Sequence, residues 1–189
     1  CVAPIIEFSK REFYDHQIRP LRVPKASERL DPPLVDVLVR GGSRDGKVNE
    51  AEAQAIVSEI KAILADPRFD KKTIGVVSLV GFEQAHHIFD LIREQIDDED
   101  IVERKITVGD ARTFQGKERD VIMLSMVATP DAKATSTGRV YEQRFNVAAS
   151  RARDRMYLFR SVDISALNKN DLKARLIGHF QSPFHQDPV

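Results

Sequence analysis

Apolar residues along this chain follow two rhythms. Ala53, Ile56, Val57, Ile60, Ile63 and Leu64 recur every three or four positions and predict an amphipathic helix over 50–65. Asn49 is its expected N-cap, Glu52 the capping-box partner, and Pro67 limits its extension. Ala85, Ile88, Phe89, Ile92 and Ile96 mark a second helical face. That helix is expected to stop near Ile96, because the acidic run Asp97–Asp100 is poorly placed at a helix C-terminus. The second rhythm is short stretches that read as strands at 34–39, 74–79, 102–108, 121–126 and 156–159, of which 121–126 is unbroken in its apolar character. The fourth of these suits burial on both faces. A helix over 142–152 has an unusually small apolar face of Ala148, Ala149 and Ala152. A last helix rests on Leu172, Leu176 and Phe180, and the tail from Ser182 is expected to fray. Residues 1–33 carry Pro4, Pro20, Pro24, Pro32 and Pro33 and predict an irregular arm anchored by Phe8, Phe13 and Tyr14. Thr129 to Thr137 reads as a polar loop.

Strands alternating with helices in this order predict an α/β fold with an open parallel sheet. The expected organisation is an arm over 1–33, the α/β domain over 34–162, and a helix and tail over 163–189. Ligands of such sheets gather beyond the carboxyl ends of the strands. The stretch from Gly109 to Lys117 follows the third strand, whereas the helix that leads to Arg151 feeds the fifth strand from its far end.

Composition narrows the class of protein. The 189 residues suffice for one domain with a sizeable core, and 42% apolar with 31% charged residues is ordinary for a cytoplasmic domain. No run approaches a membrane span, so no membrane partner is expected. A formal net charge of zero removes any global polyelectrolyte signal, although arginines bunch between Arg139 and Arg160. The single cysteine, Cys1, cannot form an internal disulfide or nucleate a metal cluster. His86 and His87 are adjacent and point different ways on a helix, so no metal site is expected there. The chain starts without Met and in mid-pattern, as a monomeric fragment of a larger protein would.

Two clusters carry the candidate chemistry. The first runs Val108-Gly109-Asp110-Ala111-Arg112-Thr113-Phe114-Gln115-Gly116-Lys117-Glu118-Arg119-Asp120. Gly116 permits a positive φ or close approach of backbone to a ligand. Thr113 and Gln115 offer neutral donors for a phosphate or water, and Glu118 a carboxylate suited to a ribose hydroxyl. Arg112, Lys117 and Arg119 surround them with positive charge. The second cluster runs Arg144-Phe145-Asn146-Val147-Ala148-Ala149-Ser150-Arg151-Ala152-Arg153. On a continuous helix Arg144 and Arg151 share a face, Arg155 would extend the stripe, and Arg151 and Arg153 point apart. An arginine fork so held can stabilise a transferring phosphoryl group, and the competing reading is a solvated arginine-rich surface. Gly41 and Gly46-Lys47 sit at phosphate-loop spacing, but Val48 stands where Ser or Thr would hold magnesium. This stretch reads as a glycine-rich connection. With no acidic magnesium-binding residue either, the chain alone is not expected to turn over ATP.

The two clusters resemble motifs V and VI of superfamily 1 helicases in the Upf1-like branch. Asn49-Glu50-Ala51-Glu52-Ala53, Ile74-Gly75-Val76-Val77-Ser78 with Gln84-Ala85, and Phe13-Tyr14 follow the same branch, over roughly residues 5–162. The resemblance implies the second RecA-like domain of a two-domain motor, a P-loop NTPase fold lacking its own P-loop. ATP and Mg2+ would then be held mainly by a first RecA-like domain in cis. Arg151 would be the arginine finger, with Gly116 and Gln115 near the nucleotide and Glu118 toward the ribose. Thr113, Arg112, Lys117 and Arg144 would couple to single-stranded nucleic acid, DNA rather than RNA, while Arg153 and Asp120 would hold the motif together. There are departures: Ser78-Leu79-Val80-Gly81-Phe82 replaces an aromatic Ser-Pro-Tyr stretch, Ala149-Ser150 replaces Leu-Thr, and before Phe114 either Asp110 is the usual aspartate with Arg112 stretching the segment, or Arg112 occupies that position and Asp110 has no assigned role. A non-catalytic RecA-like binding module is the alternative, and a stand-alone enzyme built on Gly41 to Lys47 is the least favoured reading.

Overall fold

The computed structural model describes residues 1–17, 25, 29–132 and 136–184. Its centre is β4 (Arg119–Ser125), whose last five residues are all buried. Around it lie β1 (Leu34–Leu38), β2 (Ile74–Ser78), β3 (Thr107–Asp110) and β5 (Ala152–Arg160), in the order β1-β5-β4-β2-β3. Every pairing is parallel. Alternate side chains of β4 and β5 therefore supply two separate cores. Ile122, Leu124, Met156 and Leu158 face one way, under α1 (Ala3–Phe13), α5 (Arg139–Ala149) and α6 (Leu172–Gln181). Val121, Met123, Tyr157 and Phe159 face the other, under α2 (Glu50–Ala65) and α3 (Phe82–Gln95). A short α4 (Asp98–Glu103) leads into β3. This is an α/β domain with a parallel sheet between two helical layers, a RecA-like arrangement in general terms.

Several elements differ from the pattern-based expectation, each for a physical reason. The first residues are not irregular: Ala3–Phe13 is a helix, with Pro4 in the first turn where its missing N–H costs nothing. Ile5 and Phe8 reach the core, while Tyr14 is exposed. Residues 18–24 and 26–28 of the remaining arm, and the tail from 185, fall outside the described residues. As expected, α3 ends at Gln95 with Ile96 as its cap, before the acidic run. Asp98, Glu99 and Asp100 instead open α4, where the helix dipole favours them. The third strand consequently starts at Thr107 rather than Val102. α5 ends at Ala149, so Arg151, Arg153 and Arg155 lie beyond it, the last two on β5.

Candidate functional site

The loop between β3 and β4 joins two parallel strands, so it must cross the sheet from carboxyl edge to amino edge. Ser78 pairs with Asp110 at one edge and Ile74 with Val121 near the other. Asp110 starts the crossing. Its Oδ1 accepts the N–H groups of Arg112 and Thr113 at 3.0 and 3.1 Å and the Thr113 hydroxyl at 3.3 Å. That gives Asp110 the turn-holding role its sequence context left open. Phe114 then drops into the core, fully buried over Gly75. A Cβ on Gly75 would lie 2.7 Å from the Phe114 ring, so this crossing needs glycine there. Lys117 N–H closes a turn on the Phe114 carbonyl at 3.1 Å. Gly116 sits in that turn at φ +72° with open space where a Cβ would be. Arg112, Gln115, Lys117 and Glu118 are exposed around it.

The far end of the crossing is pinned at the amino edge. Arg119 donates to the Lys105 and Glu118 carbonyls at 3.0 and 2.8 Å and to the Thr107 hydroxyl at 2.7 Å. Asp120 accepts from the N–H and hydroxyl of Thr73 at 2.9 and 2.7 Å. Burial alone would raise the Asp120 carboxyl, but the Thr73 bonds and the charges of Lys72 and Arg153 outweigh it and hold it below its ordinary value. Arg153 ties both acids together, 3.1 Å from Glu118 and 3.8 Å from Asp120.

Arg151 joins this edge from the other cluster. Its carbonyl accepts the Arg119 N–H at 3.0 Å. Its side chain folds back on the end of α5: Nε donates to the Val147 carbonyl at 3.1 Å and Nη2 to the Ser150 hydroxyl at 2.9 Å. Among the described residues it has no carboxylate partner. Arg144 does not share its face, because the helix ends between them. Arg144 lies toward the opposite edge, stacked over Tyr141 at 5.5 Å with Nη1 3.4 Å from the Leu79 carbonyl. Arg155 is buried against Phe69 and Tyr157 and extends no surface stripe. The structure thus brings Glu118, Asp120, Arg151 and Arg153 together at the amino edge and leaves Thr113 and Arg144 away from them.

The carboxyl edge holds a network that sequence reasoning missed. Asn49 caps α2 through the Glu52 N–H at 3.1 Å, as expected. Glu52 does not return the bond to the Asn49 N–H, which goes to Gln84 Oε1 at 2.8 Å. The Glu52 carboxylate is fully buried and accepts from Ser125 Oγ and Val127 N–H at 2.8 Å each, Ser161 Oγ at 3.0 Å and Asn49 Nδ2 at 3.2 Å. Burial raises its pKa to about 7 despite those donors. The available signal was its spacing, since Glu52 falls in line with Ile56, Ile60 and Ile63 on the apolar face.

The glycine-rich connection closes on itself in this structure. Asp45 and Val48 exchange backbone bonds at 2.9 Å, and Lys47 pairs with Glu83 at 2.7 Å. Among the described residues no three His, Cys, Asp or Glu side chains converge, and no helix is long and apolar enough to cross a membrane.

Comparison with known proteins now places the chain. The sequence profile of the AAA domain family AAA_12 matches residues 2–162, and the chain belongs to that family. It is also similar to a Mycoplasma genitalium protein named as an uncharacterized ATP-dependent helicase. The two are 27% identical over 192 residues, which cover 93% of this chain and 17% of that protein. The chain therefore spans under a fifth of the relative it matches.

Proposed function

We propose that this chain serves as the second RecA-like domain of a superfamily 1 helicase of the Upf1-like branch, with motif V at Val108 to Asp120 and motif VI at Arg144 to Arg153. Arg151 carries the reading. It is a guanidinium at the amino edge of the sheet, oriented by Ser150 and Val147, with no carboxylate to neutralise it among the described residues. A charge so held is available to γ-phosphate oxygens and fits an arginine finger. Gly116 leaves its surface open for close approach of phosphate. Glu118 would meet the ribose by exchanging its exposed bond to Arg153 for hydroxyls. The acids of this edge are engaged with Arg153 and Thr73 and do not converge as metal ligands, so magnesium and the phosphate loop would come from a first domain in cis. When bound, ATP and magnesium supply the reacting phosphoryl group and neutralise its charge. Arg112, Lys117, Thr113 and Arg144 would track single-stranded nucleic acid, DNA before RNA.

The test is strand-stimulated ATP hydrolysis by the longer protein that carries this chain, beside its Arg151→Ala version. Loss of about 10³-fold or more in turnover with ATP binding retained is expected of a finger. Unchanged turnover would sink the assignment, and a longer protein without ATPase on any strand would favour a non-catalytic binding module.

A further inference from the structure

Between α1 and α6 the structure opens a cleft of about 540 Å³. Arg11, Lys169 and Arg175 line it, with Glu12 as the one carboxylate among the described residues. On a chain of zero formal net charge this is a local positive surplus. Glu12 fixes that surplus in place. It accepts from Arg11 Nε at 3.0 Å and from Arg175 Nη1 at 2.8 Å. Its own side chain is 9% exposed, so it orients two guanidinium groups from inside the cleft wall. Each guanidinium keeps further N–H donors, and Lys169 makes no hydrogen bond or ion pair among the described residues. The nearby Glu7 is paired with Lys10 at 3.3 Å.

His179 forms part of the lining and is 2% exposed, with Nε2 2.8 Å from the Pro4 carbonyl. Burial pushes its pKa down to about 4, so it is neutral near pH 7. A carbonyl only accepts, so Nε2 carries the proton and Nδ1 is an acceptor. That Nδ1 is buried without a partner in the structure. Beside it Gly178 adds no bulk, since even a Cβ there would meet only the Ile164 side chain, at 3.8 Å.

We propose that this cleft is a phosphate-binding site distinct in position from the Arg151 cluster. Two oriented guanidinium forks and a free ammonium match the oxygens of a tetrahedral anion. After Glu12 is counted, the three cations leave a net charge of +2 to meet a phosphate dianion. The His179 Nδ1 is too buried to meet that anion, which the three cations hold alone. Arg11 lies eight residues along α1 from Ala3, about 12 Å down the axis from the end that touches Arg153. A phosphate there is not one transferred at the amino edge.

Titration calorimetry of the chain with inorganic phosphate, in chloride of matched ionic strength, tests this. The double variant Lys169→Glu/Arg175→Gln is expected to weaken binding by about tenfold or more. Exposed Lys169→Glu alone should weaken it in the same direction without threatening the fold. Arg151→Ala should leave the affinity unchanged whether or not that residue acts as a finger. Loss of binding in Arg151→Ala, equal binding in the double variant, or no saturable binding to the parent chain would each overturn the proposal. Displacement of phosphate by a short single-stranded oligonucleotide would assign the site to a nucleic-acid backbone. Displacement by pyrophosphate but not by a strand would assign it to free phosphates.

Discussion

Glu52 shows how one side chain can tie a helix to the ends of two strands while working against its own ionised form. Desolvation raises its pKa from an ordinary 4.5 to about 7, although four donors surround it. The folded state therefore prefers the proton. The stability this provides is complete below about pH 4.5 and is lost as pH rises through 7, a change of about 3 kcal/mol. Glu52→Gln removes the titration, so the pH profile of urea unfolding should flatten between pH 4.5 and 7.5 relative to the parent. Identical profiles would show that Glu52 is ionised throughout. The Glu52 network was hidden because hydropathy counts a glutamate as surface. At the other edge the candidate residues were easier to pick out, since Gly116, Glu118, Arg151 and Arg153 lie in compact runs of unusual residue types. Their geometry was not legible. Ala148-Ala149-Ser150 contains no glycine stop, and the helix ends because Arg151 enters the pairing with Arg119 instead.

Among the elements, the β3–β4 crossing is the one the domain is shaped around. Periodicity identified β4 and placed α2 over the residues it occupies, because both are long or unbroken enough to decide their own type. It failed at α1, whose prolines resemble a loop although Pro4 stands where helices accept it. It also failed to show that the loop after β3 crosses the whole sheet, since parallel pairing of neighbours is a tertiary fact. The crossing depends on Phe114 seated over Gly75, where a Cβ would come within 2.6 Å of Ile122 and 2.7 Å of Phe114. Gly75→Ala is expected to cost about 1–3 kcal/mol by overpacking, seen as a lower urea midpoint at unchanged m. Combining it with Phe114→Leu should be clearly less than additive, because the smaller ring-free side chain relieves the same contact. Strict additivity would mean that the two positions do not meet.

At the scale of the molecule, the two edges of the sheet have opposite characters. The carboxyl edge between α2, α3 and the ends of β4 and β5 is closed by the Asn49–Glu52–Gln84 network. The amino edge carries oriented charge, exposed at Glu118 and Arg153 and half-buried at Arg151. α6 lies outside the matched family segment, which stops at residue 162, yet it is part of the same solid. Leu172, Leu176, Ile177 and Phe180 complete the core shared with α1 and α5. Buried Lys173 pairs with Asp171 at 3.0 Å and donates to the Ser136 hydroxyl at 2.8 Å, fixing the chain just before α5. Four buried apolar side chains at about 1.5–3 kcal/mol each amount to roughly the whole stability of a domain this size. A chain ending at Val162 should therefore lose its cooperative urea transition while keeping helical circular dichroism, as a collapsed and loosely packed state does. A sharp transition at the parent's midpoint would instead mean that α6 is an appendage. In that case the orientation of α5, and of Arg151 beyond it, would be set by the sheet alone.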